Sequence, residues 1–142
     1  MNSPDGICIY LIDSHGLRAI AMTRSNRLKA HCLDLLQRGV IAVPNCVWDE
    51  FKEAYDDEAE DMGPAITTKI SANKKYNAGA AKSAVQLNSK FSVSPYDTAT
   101  DFFAAAIAVS EGYTLITTTE QLTFYSSLNS CKAIDLTSLA VQ

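Results

Sequence analysis

"IYLIDSHGL", residues 9–17, runs apolar for four positions and then presents a carboxylate, Asp13, followed by Ser14, His15 and Gly16. Extended back to "ICIYLID" (7–13), the run is continuous rather than alternating, which is the pattern of a strand buried on both faces in a parallel sheet. A buried strand ends on a charge for one of two reasons. Asp is a common turn residue because its side chain bonds to nearby backbone. Alternatively, the charge belongs to a site at the edge of the sheet.

The rest of the chain alternates in the same sense. "NRLKAHCLDLLQRG" (26–39) places Leu28, Cys32, Leu35 and Leu36 at helical spacing and stops at Gly39. "VIAVPNCVW" (40–48) predicts a second strand, with Pro44 marking its end or a bend. From Val47 to about Glu60 the sequence predicts a helix with Trp48, Phe51 and Tyr55 on one face. The middle, "GPAITTKISANKKYNAGAAKSAVQLNSK", predicts one or two short helices, and "FSVSPYDTAT" (91–100) a short strand or loop. "TDFFAAAIAVSEG" is a strong helix, with Thr100 suited to the N-cap, Asp101 to the first turn and Gly112 to the close. "YTLITTTE" is a β-branched strand, "QLTFYSSLN" a helix or turn, and "KAIDL" a last strand. Alternating elements imply an α/β fold, a three-layer α/β/α sandwich around a mostly parallel sheet.

At 142 residues and 47% apolar content the chain suits one domain, residues 1–142, with a sizeable core. Cys8, Cys32, Cys46 and Cys131 form no CxxC pair, which argues against a zinc knuckle or a thioredoxin-like motif. Three of them lie in apolar contexts and read as small buried hydrophobes in a reducing compartment. The opening "MNSPDGICIY" lacks a signal-peptide pattern, and no apolar run approaches the roughly 20 residues of a membrane span, so a cytoplasmic protein is expected. The net charge of -4 argues mildly against a nucleic-acid partner, but its distribution does not. Eight acids fall within residues 49–61, while residues 63–96 carry Lys69, Lys74, Lys75, Lys82 and Lys90 and no acid. Arg18, Arg24, Arg27 and Lys29 form a second basic cluster after the first strand.

In a parallel α/β sheet the ligand crevice lies beyond the carboxyl ends of the strands. Asp13 ends the first strand, Glu50 follows the second, and Asp101 starts the helix before "TLITTTE", so all three fall at that edge. Carboxylates gathered there repel one another or demand a cation. Hard oxygen ligands with few histidines suit Mg²⁺ or Mn²⁺, and the chemistry such ions serve is phosphoryl transfer, here phosphodiester hydrolysis. Each residue also has an ordinary reading: Asp13 as a turn acid, Glu50 as one of a solvated acidic run, and Asp101 as a helix-dipole acid. Asp97, four residues before Asp101, is a reserve ligand.

The stretches "YLIDSHGL", "VPNCVWDEFKEAY" and "TDFFAAAIAVSEGYTLITTTEQL" resemble the PIN-domain ribonucleases, which include the VapC-type toxins of bacterial toxin–antitoxin pairs. The resemblance runs from residue 8 to about 137, and its implied site residues are Asp13, Glu50 and Asp101 as metal ligands and catalytic acids. The family's fourth position falls on Thr119, with Glu120 adjacent, where an Asp or Asn usually stands; His15 also departs from the usual Asn or Ser. The resemblance implies a Mg²⁺- or Mn²⁺-dependent endoribonuclease acting on RNA, a small antitoxin protein as partner, and often a homodimer. Thr119 would help position the attacking water. Two other classes stay open: a catalytically silent PIN-like module binding nucleic acid or protein, which the missing acid at Thr119 favours, and an aspartyl-phosphate enzyme with Asp13 as nucleophile.

Overall fold

The computed structural model describes residues 8–71, 95–126 and 131–139, and over 95–102 the backbone alone. Among the described residues there are five short strands: β1 (Tyr10–Ile12), β2 (Ile41–Pro44), β3 (Lys69–Ile70), β4 (Thr114–Thr117) and β5 (Ala133–Asp135). They form one sheet in the order β3-β2-β1-β4-β5, every pair parallel. The α-helices are α1 (Ser14–Met22), α2 (Asn26–Gln37), α3 (Asn45–Ala54), α4 (Asp56–Met62), α5 (Pro95–Glu111) and α6 (Thr119–Ser126). The expected three-layer α/β/α architecture is therefore observed, with a sheet that is parallel throughout.

β1 is the middle strand of the sheet, and it and both its neighbours are apolar and buried. Leu11 and Ile12 are wholly buried, as are Ile41 to Val43 in β2 and Leu115 and Ile116 in β4. α1 and α2 add Leu17, Ile20, Leu28, Cys32 and Leu36 to the core, and α5 adds Ala104, Ala105, Ile107 and Ala108 where it crosses β1, β2 and β4. Small residues on α5 let its backbone approach the sheet closely. Gly39 and Gly112, at φ of 78° and 77°, close the turns after α2 and α5, a backbone state that L side chains rarely adopt.

Three local expectations are corrected, and one unassigned segment is settled. The segment after β1 is a helix, α1: Asp13 caps it by accepting from the Gly16 N–H, and Leu17 and Ile20 bury its inner face. The helix expected over 47–60 breaks at Tyr55 (φ -138°, ψ 64°), and Asp56, Asp57 and Glu58 fill the first turn of a new one, where the helix dipole favours acids. α5 begins at Pro95, not Thr100, as suits proline at a first helical position; Asp101 thus sits inside the helix, in line with Asp97 one turn earlier. Lys69 and Ile70 form a strand in a region read as helical. The expected elements within residues 72–94, and with them Lys74, Lys75, Lys82 and Lys90, lie outside the described residues.

Candidate functional site at the carboxyl edge of β1 and β4

The strand order reverses between β1 and β4, so the crevice position of this fold lies beyond Ile12 and Thr117. Asp13 occupies it. Its N–H reaches the Ile116 carbonyl at 3.3 Å, which extends the β1–β4 ladder by one residue and fixes where the side chain starts. The carboxylate then turns inward and is 0% exposed.

Three donors meet it there. The Gly16 N–H donates to Oδ1 at 2.7 Å, the Thr117 hydroxyl to Oδ2 at 2.7 Å, and the Tyr125 phenol to Oδ2 at 2.6 Å. Thr117 and Tyr125 are themselves 0% exposed. Short bonds from three groups to one buried carboxylate are what a buried charge requires. Asp13 caps α1 and stands at the carboxyl edge of β1, where the strand order reverses. α1 comes close enough for this because residue 16 is glycine. A Cβ there would stand 2.6 Å from Ile12 Cγ1 and 2.9 Å from the Ile116 carbonyl oxygen.

Two clefts open beside this centre, and Asp13 lines neither. The larger, about 510 Å³, lies between α1 and α6 and is lined by His15, Arg18, Ala19, Met22, Thr118, Glu120 and Gln121. The smaller, about 190 Å³, lies between α1 and α3; Ser14, His15, Arg18, Glu50, Phe51 and Tyr55 face it. His15 and the exposed Arg18 therefore form a ridge common to both. Glu50, half-buried, reaches this ridge because α3 stacks Trp48 on Phe51 (5.8 Å) and Phe51 near Tyr55 (5.5 Å), which sets the helix's inner face.

The other expected residues fall as follows. Asp101 lies on α5, which crosses β1, but its side chain is outside the described residues, as is that of Asp97. Thr119 opens α6 exposed, and its hydroxyl and N–H bond to Asp135 at the end of β5. Burial works against the charge of Asp135, but the hydrogen bonds from Thr137 and Thr119 outweigh it and hold this carboxyl below its usual range. Glu120 lines the larger cleft. Of the basic residues, Lys69 stands 5.8 Å from the Trp48 ring centre, and Arg24 and Arg27 are exposed. Sequence reading passed over Tyr125, Asp135 and Gly16. Nothing in the sequence marks Tyr125 as more than an aromatic in an amphipathic stretch.

The donor set suits a small hard cation in chemistry, carboxylates with one histidine nearby. A carboxylate has about four lone-pair sites, and three on Asp13 are taken, so it has at most one to give a metal. Glu50 offers a second carboxylate on the cleft wall. Among the described residues no group of three His, Cys, Asp or Glu is gathered. Asp13 and Glu50 are the right chemistry for such an ion, but the described residues do not by themselves form a site for one.

No family model matches the chain, and no curated protein sequence does. Solved structures do. VapBC2 from Rickettsia felis, bound to a DNA fragment from its promoter, is similar at 16% identity and TM-score 0.69, over 89% of this chain and 98% of that one. DNA-bound VapBC from Salmonella typhimurium is similar at 13% identity and TM-score 0.70, over 91% and 98%. VapBC-1 from nontypeable Haemophilus influenzae is similar at 15% identity and TM-score 0.65, over 91% and 98%. With its switch point at β1 and β4 and near-complete coverage of these chains, the protein has the PIN-like fold of the VapBC structures.

Proposed function

We propose that the chain is a Mg²⁺- or Mn²⁺-dependent endoribonuclease, the toxin of a type II toxin–antitoxin pair, with a small antitoxin protein as its partner. The observation that carries this is Asp13, a fully buried carboxylate at the switch point of an all-parallel sheet, beside a cleft that Glu50 lines. The likeness to VapBC structures supports the same reading and the antitoxin partner. In this proposal Asp13, Glu50 and Asp101 hold the ion. Bound there, the metal would lower the pKa of a water and neutralise charge developing on the phosphoryl group.

The chain's own residues do the rest. Arg18 and His15, on the ridge between the clefts, seat the phosphate backbone of the RNA, with Arg18 as a permanent charge. Thr117 and Gly16 keep Asp13 oriented. Thr119 bonds to Asp135, so in this reading it steadies the start of α6 rather than handling water.

The test is RNA hydrolysis with Mn²⁺ or Mg²⁺ and with EDTA. Cleavage is expected only with metal, and Glu50→Gln should lose at least a hundredfold while its melting midpoint stays within a few degrees of the wild type. A second reading, a PIN-like module that binds without cutting, is favoured by one feature: the three hydrogen bonds that sequester Asp13. RNA binding with no metal-dependent hydrolysis would select it.

A further inference from the structure

His15, Arg18, Ala19 and Met22 recur at i, i+3, i+4 and i+7 on α1, so they share one face of the helix, and that face is a wall of the larger cleft. It is not the core face, which carries Leu17 and Ile20. Met22, 49% exposed, leaves a large apolar side chain there, and the facing wall at the start of α6 carries Glu120 and Gln121. Among the described residues, the Arg18 guanidinium, the Glu120 carboxylate and the Gln121 amide have no hydrogen-bond or ion-pair partner. At about 510 Å³ the cleft falls within the roughly 300–1,000 Å³ of small-ligand sites, which join an apolar wall to a few polar groups.

We propose that this cleft takes one base of a bound RNA strand, and that Glu120 selects a base with an exocyclic amino group, adenine or cytosine, over uracil. The inference rests on the RNA-binding part of the reading above and needs no metal. With the phosphate on Arg18, the flat face of the base lies against Ala19 and Met22 and its hydrogen-bonding edge meets α6. Unstacked bases of single-stranded RNA are read in this way, on their edges. A carboxylate only accepts, so Glu120 takes a hydrogen bond from the amino group of adenine or cytosine. Uracil sets a carbonyl oxygen in the same place, lone pair against lone pair. Gln121 both donates and accepts, which suits the ring nitrogen beside the amino group in either base.

The experiment measures binding of short oligo(A), oligo(C) and oligo(U) by fluorescence anisotropy, in EDTA at fixed salt, for the wild type and Glu120→Gln. Glu120 is exposed, and a melting curve establishes that the variant is folded. The wild type is expected to bind oligo(A), oligo(C) or both about 5- to 150-fold more tightly than oligo(U). In Glu120→Gln that ratio should fall towards one, because an amide can turn its N–H toward the uracil oxygen. A preference for one of the two amino-bearing oligomers alone supports the subsite and names its base. A wild type without preference overturns the proposal. So does a variant that binds all three more tightly by the same factor, which reports only the loss of a negative charge. A wild type that binds none of them overturns the RNA reading as well, whereas failure of metal-dependent hydrolysis leaves this subsite standing.

Discussion

Asp13 caps α1 and, in the proposed function, would also hold the metal, and the two roles respond differently to substitution. Asp13→Asn keeps the size but replaces a charged acceptor with an amide, one end of which is a donor facing other donors. Hydrogen bonds to charged groups are worth about 1.5–3 kcal/mol each, so this variant is expected to lose at least about that much stability, read as a fall in urea midpoint at unchanged slope. Loss of cleavage in Asp13→Asn alone therefore does not separate chemistry from folding, and Glu50→Gln is the cleaner probe. Arg18, exposed on the ridge between the clefts, should matter to RNA and little to stability. Arg18→Ala is expected to weaken RNA binding in EDTA and reduce the slope of log affinity against log salt by about one unit, measured by fluorescence anisotropy. At this scale the sequence was informative where chemistry is local. Asp13 stood out because a charge ended an apolar run. Tyr125 did not, because its partner is 112 positions away and its neighbours give it an ordinary amphipathic setting.

At the scale of elements, α1 is the piece on which the site depends, and Gly16 is what lets it dock. Gly16→Ala would press a methyl carbon against Ile12 and a carbonyl oxygen that belongs to the sheet. Overpacking of this kind costs about 1–3 kcal/mol, and the expected outcome is that loss in a chemical melt, together with weaker protection of the Gly16 amide in hydrogen exchange. The apolar central strands, α2 and the Ala-rich part of α5 were legible because apolar runs, periodicity and glycine stops act over a few residues. α1 was not, since Asp-Ser-His-Gly is also the composition of a turn and only tertiary contact makes Gly16 an asset in a helix. The start of α5 was misplaced because Thr100 makes a good cap in isolation, while Pro95 is an equally good opening residue. β3, two residues long, exists because β2 offers it an edge.

For the molecule as a whole, the cysteines tie stability to alkaline pH. Burial pushes the Cys32 and Cys131 thiols up to about 11 from 9.0. A thiol whose folded pKa is raised contributes stability that is complete below its unfolded value and is lost as pH rises through the folded one. Unfolding midpoints in a reducing buffer should therefore hold up to about pH 9 and fall between there and pH 11, and Cys32→Ala, though less stable from its cavity, should show a shallower fall. Native Cys32, wholly buried on α2, should also resist a thiol reagent at pH 8 until the chain is unfolded. The sheet order itself was legible only as a class: parallel pairing follows from alternating elements, but the place of reversal emerges when β4 chooses β1 as its neighbour.

That choice has a consequence for how the protein is born. The hydroxyls that dress Asp13 come from residues 104 and 112 places later in the chain, so a ribosome that has just passed Gly16 has made the carboxylate and its backbone partner but neither hydroxyl. Growing at about 5–20 residues per second, the polypeptide spends seconds in which its most consequential charge is unassembled. If the finished protein is harmful to RNA, the same long-range closure delays that harm until Tyr125 has been made, and gives a co-translationally made partner time to arrive first.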